Sequence, residues 1–258
     1  MKGIIEKLYW LLSAQFGFDP RRMVRSLRGA PRYVAGWLRF RRRYTGRLSL
    51  LPCLHDWYEE NGFTKDEYFW QDLHVARKIR LANPEKHVDI GSRIDGFVAH
   101  VASFREIEVF DIRPVTSQIP GIFFRQADLM SPSEPIADYC DSLSCLHALE
   151  HFGLGRYGDP IDPQGYVAGL ANMAKMLRRG GLFYLSVPVG RERVEFNAHR
   201  IFDPRLLVLL AEENSLSLRE LAWIRPGHTL IQSSGLTRDL DELGKLHYAL
   251  GVFVFVKQ

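Results

Sequence analysis

Two stretches of the chain place chemistry-bearing residues at a meaningful distance from one another. His87–Gly96 reads His-Val-Asp-Ile-Gly-Ser-Arg-Ile-Asp-Gly, and Glu108–Ile112 reads Glu-Val-Phe-Asp-Ile. The first predicts a short buried strand on Val88 and Ile90, a glycine turn, and a helix through Phe97, Val98, Val101 and Phe104. The second predicts the neighbouring parallel strand, with Asp111 at its C-terminal end. A glycine turn lets backbone approach a ligand closely. A carboxylate about twenty residues on, at the adjoining strand tip, accepts hydrogen bonds from ribose hydroxyls. Together they outline a nucleoside-binding crevice. Asp89 carries a second reading, as a brace for the amides of its own turn.

Three histidines fall where they would border the same crevice. His147 ends a predicted strand at 140–146, and His151 lies four residues on, on the same face if a helical turn begins there. His199 sits in the loop Phe196–Arg200 after a strand at 181–187. Histidine titrates in the range useful to a general base. The alternative for each is a loop-bracing role. Their spacing, even with Glu150 or Asp159 added, matches no short metal motif, so no metal is expected. The loop Phe152–Pro163 offers Arg156, Tyr157 and Asp159 as a donor fork, an aromatic platform and an acceptor. With Arg200 they are candidate substrate contacts, suited to a sugar or a phosphate-bearing acceptor.

The elements that must hold these residues follow an alternating rhythm from His87 onward, the pattern of a parallel sheet covered on both faces. Strands are expected at 87–91, 108–112, 121–126, 140–146 and 181–187, and helices at 95–104, 163–178 and 204–213. Asp162-Pro163 and Asp203-Pro204 mark helix starts, and Gly180-Gly181 a stop. Leu216–Ile224 and Tyr248–Lys257 read as strands separated by a loop region, which implies an antiparallel last strand. A further helix is expected from Glu67 to about Leu81, ended by Asn83-Pro84.

The 258 residues suffice for one large α/β domain and an appendage. Residues 1–50 hold twelve Lys/Arg and two acids, a net of +10 on a chain of net +4. This segment joins an amphipathic start (Ile4, Ile5, Leu8, Leu11, Leu12, Trp10) to arginine clusters interleaved with Tyr33, Trp37, Phe40 and Tyr44. Residues 1–80 are therefore read as a basic helical extension and 81–258 as the catalytic domain. Residues 1–47 suit peripheral contact with an anionic membrane, or else a solvated arm packed on its own domain or a second subunit. No nucleic-acid fold motif is present, and no specific nucleic acid is expected. No apolar run approaches the roughly 18–20 residues of a membrane span. Met1–Phe18 lacks the cleavage signature of a secretory leader. Cys53, Cys140 and Cys145 lack metal-like spacing, and Cys140 and Cys145 read as buried reduced thiols. The expected location is cytoplasmic, with the arm at the inner face of the membrane.

In this order the pieces resemble the class I S-adenosylmethionine-dependent methyltransferases, over residues 80–258. Val88-Asp89-Ile90-Gly91 is similar to the first cofactor motif, Asp111 to the ribose-binding acid, and Gln126-Ala127-Asp128-Leu129 to the segment whose acid meets the adenine amine. Asp141–His151, with its Leu-Glu-His ending, is similar to the fourth strand, and Leu177–Pro188 to the Gly-Gly turn and fifth strand. The resemblance implies an α/β, Rossmann-like fold with a mostly parallel seven-stranded sheet and antiparallel last strand. It implies S-adenosylmethionine as cofactor, held by Asp89, Gly91, Ser92, Gly96, Asp111, Asp128, Leu129 and His147. More narrowly, Asp89–Gly96, His147–Pro163 and Phe196–Phe202 resemble a bacterial family of unknown function associated with surface-polysaccharide clusters. That points to O-methylation of a saccharide or a lipid- or nucleotide-linked sugar precursor. One departure stands out: Arg93 occupies a position where the family's glycine turn has glycine. It either points to solvent or narrows the methionine pocket. In the latter case the chain would be a non-catalytic methyltransferase-like scaffold in a membrane assembly. A nicotinamide enzyme is disfavoured by the missing Gly-x-Gly-x-x-Gly and by the two terminal strands.

Overall fold

The computed structural model describes residues 5, 8–62, 64–133, 136–227 and 229–258. Ile4, part of the amphipathic start, lies outside the described residues. The chain divides into two units, Met1–Phe63 and Thr64–Gln258.

The first unit is built on helix α1, Pro20–Arg41. Asp19 caps it by accepting from the backbone N–H groups of Arg21 and Arg22, and Pro20 supplies a ready-made first turn. The chain comes back to this helix at Gly29, where a Cβ would lie 1.8 Å from the Leu54 carbonyl oxygen.

The second unit opens with α2, Glu67–Ala82, whose Val75, Ala76 and Ile79 are buried against Phe97, Val98 and Val101. The domain boundary expected after residue 80 therefore moves back to Phe63, because this helix covers one face of the sheet. Asn83, in the left-handed conformation (φ +43°), ends the helix ahead of Pro84.

The strands are β1 (His87–Ile90), β2 (Ile107–Asp111), β3 (Ile122–Gln126), β4 (Cys140–Leu146), β5 (Leu177–Val189), β6 (Arg193–Glu195), β7 (His199–Ile201), β8 (Leu216–Ile224), β9 (Leu230–Gln232) and β10 (Ala249–Lys257). The sheet runs β3-β2-β1-β4-β5-β10-β8-β9, and β6-β7 form a separate hairpin. β3 through β5 are mutually parallel, while β10 runs antiparallel to both β5 and β8. All seven expected strands are present, and β9 adds an eighth at the edge. Period-two alternation drives β10 into both cores: Phe253 and Phe255 enter one face, Val252 and Val254 the other.

Helices α3 (Ala99–Ala102), α4 (Gly165–Met176), α5 (Pro204–Glu213) and α6 (Leu236–Lys245) complete the unit. Two expectations are corrected. Gly180-Gly181 do not stop α4, which ends at Met176. The N–H groups of Asp138 and Tyr139 take the carbonyls of Lys175 and Met176, so Leu177 already pairs with Cys140 in the sheet. The region expected to be loop after Ile224 holds β9 and α6. Leu240 and Leu243 of α6 are buried, and Asp239 gathers the Ser233 hydroxyl and the Ser234 and Gly235 amides ahead of it.

Candidate active site

The glycine turn after β1 is shaped by both backbone and space. Gly91 has φ +73°, and a Cβ there would lie 2.8 Å from the Ala148 Cβ, so only glycine fits. Beneath it, the fully buried Asp89 accepts from the Ser92 amide (2.9 Å), the Ser92 hydroxyl (2.7 Å) and the Ser144 hydroxyl. Both carboxylate oxygens are thus engaged within the protein. Burial pushes the Asp89 carboxyl up to about 7, against the pull of its hydrogen bonds to Ser144 and Ser92. Ser92 is also buried, and its hydroxyl accepts from the Leu146 amide. Of the two readings open for Asp89, the brace is the one this geometry supports, and Ser92 joins it. These two residues set the turn and tie it to β4. His87 completes the brace, its ring nitrogens 2.8 Å from the Ser142 hydroxyl and 3.2 Å from that of Ser144. Gly96 closes the turn where a Cβ would lie 2.9 Å from Asp72 Oδ2. Arg93 points outward and pairs with Asp95 at 2.7 Å, both side chains well exposed. It does not narrow the crevice.

Asp111 ends β2 opposite Gln126 of β3, and Asp128 lies two residues beyond β3, so the two acids occupy adjoining strand tips. Asp128 accepts from the Met130 amide at 2.8 Å, and Leu129 is buried. The residue that reaches across the crevice is Arg113. Its guanidinium forms a close two-pronged ion pair with Asp111, donates to the Gly91 carbonyl at 3.2 Å, and lies 4.6 Å from the Tyr157 ring centroid. It therefore bridges the two sides of the crevice, Gly91 and Asp111, and stacks under the loop that borders them.

The histidines part company. His147 adopts φ +52°, stacks on Tyr68 at 4.5 Å and donates from Nδ1 to Glu150 Oε1 at 2.8 Å. Its Nε2 lies 3.4 Å from Glu67 Oε1, within ion-pair reach but too poorly aligned for a hydrogen bond. The Tyr248 hydroxyl donates to that same Glu67 oxygen at 2.5 Å. Burial opposes protonation of His147, but Glu150 and Glu67 outweigh it and hold the pKa up to about 10. The flanking carboxylates favour the imidazolium, a form with no lone pair to offer as a base. His151 is the opposite case. Its Nδ1 lies 2.8 Å from the Ala198 carbonyl, an acceptor only, which favours the neutral tautomer protonated at Nδ1, and its Nε2 lies 3.7 Å from Glu150 Oε1. Burial lowers its pKa, against the pull of Glu150. His199, on the β6-β7 hairpin opposite Glu195, is also shifted down by burial and packs edge-on to Tyr248.

In the loop Phe152–Pro163, Asp159 accepts from the Gly155 and Tyr157 amides, both at 3.1 Å, and so shapes the turn. Arg200 is 5% exposed, and its guanidinium donates to the carbonyls of Glu150, Phe152, Asp162 and Pro163 while lying over Tyr166. Both were expected to touch substrate; with these bonds committed inward, they staple the loop. Arg156 is exposed, though its guanidinium donates to the Ala198 carbonyl at 2.8 Å, and Tyr157 is half-buried. Tyr157 contacts Arg113, Arg156 and the edge of His151. Sequence reasoning missed Arg113, Glu67, Tyr68 and Tyr248. For Arg113 a signal existed: four arginines here pair with acids two residues away, at Arg93/Asp95, Arg113/Asp111, Arg193/Glu195 and Arg205/Asp203.

Comparison with known proteins places the fold. The family described as "Caenorhabditis protein of unknown function, DUF268" matches residues 122–216. No curated protein matches in sequence. Among solved structures, the Burkholderia thailandensis 1,6-didemethyltoxoflavin-N1-methyltransferase, crystallised with 1,6-didemethyltoxoflavin and S-adenosylhomocysteine, aligns with a TM-score of 0.51. It is 16% identical, over 93% of this chain and 91% of its own. A candidate sarcosine dimethylglycine methyltransferase from Galdieria sulphuraria gives 0.50 at 13% identity, over 72% of this chain and 85% of its own. The chain has the Rossmann-like methyltransferase fold.

Proposed function

We propose that this chain is an S-adenosylmethionine-dependent methyltransferase acting on a hydroxyl of a saccharide or of a lipid- or nucleotide-linked sugar precursor in surface-polysaccharide synthesis. One observation carries the reading: two carboxylates, Asp111 and Asp128, at adjoining strand tips beside a turn that excludes a Cβ at Gly91. That cradle suits an adenosine, with Asp111 for the ribose hydroxyls and Asp128 for the adenine amine. When bound, the cofactor supplies an electrophilic methyl group on a sulfonium.

The protein's own work is positioning, which can lower such a barrier by several kcal/mol. His151 is the candidate to take a proton from an acceptor hydroxyl, through Nε2, because its Nδ1 is held on the Ala198 carbonyl. His147 is a positioning residue, a fixed cation between Glu67 and Glu150. Tyr157, flanked by Arg156, offers the flat face and donor fork that a sugar ring uses. The polysaccharide setting rests on the resemblance of Asp89–Gly96, His147–Pro163 and Phe196–Phe202.

A second reading, a non-catalytic scaffold with this fold, draws support from Arg113, which already occupies Asp111. Thermal unfolding separates the two. A ligand bound only by the native state stabilises it by mass action, about 2.7 kcal/mol at a hundred times its Kd. S-adenosylhomocysteine is expected to raise Tm in the native chain and not in Asp111→Ala. No rise at millimolar ligand would favour the scaffold, and a rise with NADH alone a nicotinamide enzyme.

A further inference from the structure

Helix α1 separates two chemistries over most of its length, Arg41 in its last turn falling on the apolar side. Arg21, Arg25, Arg28, Arg32 and Arg39 recur at helical spacing along one face. Met23, Leu27, Ala30, Val34 and Leu38 repeat nearly the same spacing two residues later, which is about 200° round a helix of about 3.6 residues per turn. The apolar stripe is uncovered: Met23 is 46% exposed, Leu27 66%, Val34 48% and Leu38 45%. Segment 54–57 packs on the flank between the two faces. The Leu54 carbonyl meets Gly29, and His55 accepts from the Arg22 guanidinium. Outside the helix, Leu8, Trp10, Leu11, Phe16 and Phe18 add further exposed apolar surface.

An exposed apolar stripe of this size has a partner. Helix α1 contains no acid, and residues 1–50 carry a net +10, which selects an anionic occupant. No helix among the described residues is long and apolar enough to cross a membrane. We propose that α1 is an in-plane docking helix for an anionic lipid surface, with Met23, Leu27, Val34 and Leu38 entering the acyl boundary and the arginines supplying the electrostatic attraction. This proposal does not rest on the function proposed for the second unit.

The test is sedimentation of the full chain with vesicles of phosphatidylcholine alone or with about one-third phosphatidylglycerol, at low and high salt. Binding is expected only to the anionic vesicles and is expected to weaken with salt. Each arginine replaced by glutamine (Arg25→Gln, Arg28→Gln) should lower partitioning about fivefold. Leu27→Glu with Val34→Glu should abolish it. Both sets lie at exposed positions, and an unchanged Tm and unchanged S-adenosylhomocysteine response would show that they leave the fold and the crevice intact. Equal binding to neutral vesicles, no binding to either, or undiminished binding by Leu27→Glu/Val34→Glu would each overturn the proposal. So would a dimer in analytical ultracentrifugation that this variant dissolves while vesicles fail to pellet the native chain, because a second copy would then be the occupant.

Discussion

Replacing Arg113 with glutamine should tighten cofactor binding. In the structure Arg113 holds Asp111 in an ion pair, bonds the Gly91 carbonyl and stacks on Tyr157, so a ribose hydroxyl reaching Asp111 must first displace it. Arg113 is 40% exposed and Asp111 10%, so solvent screens much of the pair and its worth is at most about 1 kcal/mol. The hydrogen bond to Gly91 adds on the order of another 1 kcal/mol. Arg113→Gln therefore removes about 1–2 kcal/mol of competition, a five- to thirty-fold fall in Kd at 1.4 kcal/mol per tenfold. Isothermal calorimetry with S-adenosylhomocysteine reads this directly. Asp111→Asn should move Kd the other way. Unchanged or weaker binding in Arg113→Gln would refute the reasoning and show that the guanidinium holds the ligand instead of contesting its place.

Three further outcomes are expected. His147 has a folded pKa of about 10 against 6.5 for the free side chain, so its contribution to stability is full below pH 6.5 and is lost as pH rises through 10. His147→Gln leaves Glu67 and Glu150 without their cation and should cost about 3–5 kcal/mol in urea unfolding at pH 6, a gap that narrows by pH 10. His151 should titrate below the ordinary histidine range in NMR, with its proton on Nδ1; a midpoint above neutrality would remove it as the base. Arg200→Ala, stripping four carbonyls of a buried donor, should destabilise the fold by about 2–4 kcal/mol, and a surface-like cost below about 0.5 kcal/mol would show that Arg200 faces substrate after all.

Most of the framework was legible because its signals are local. Strand alternation, the Asp203-Pro204 cap and the glycine turn each depend on residues within a few positions of one another. The two acids were legible for a related reason: in a parallel sheet, residues at the ends of consecutive strands must share one edge. What escaped depends on contacts distant in sequence. The environment of His147 is set by Glu150, three residues on, and by Glu67, eighty residues earlier; the first was visible in the chain, the second was not. Arg200 and Asp159 have side chains that would suit a ligand, but their partners are backbone carbonyls and amides, which carry no sequence signature. Helix α6 was missed because only Leu236, Leu240 and Leu243 mark its apolar face and no residue at Gly235 caps it.

The central claim is that an adenosine lies over the tips of β2 and β3. A crystal structure of the chain soaked with S-adenosylhomocysteine tests it most directly. The account predicts density for the ribose against Asp111 and the adenine beside Asp128, with the Arg113 guanidinium turned away from the carboxylate. Density for the ligand elsewhere, or an Arg113–Asp111 pair still closed at saturating ligand, would contradict it.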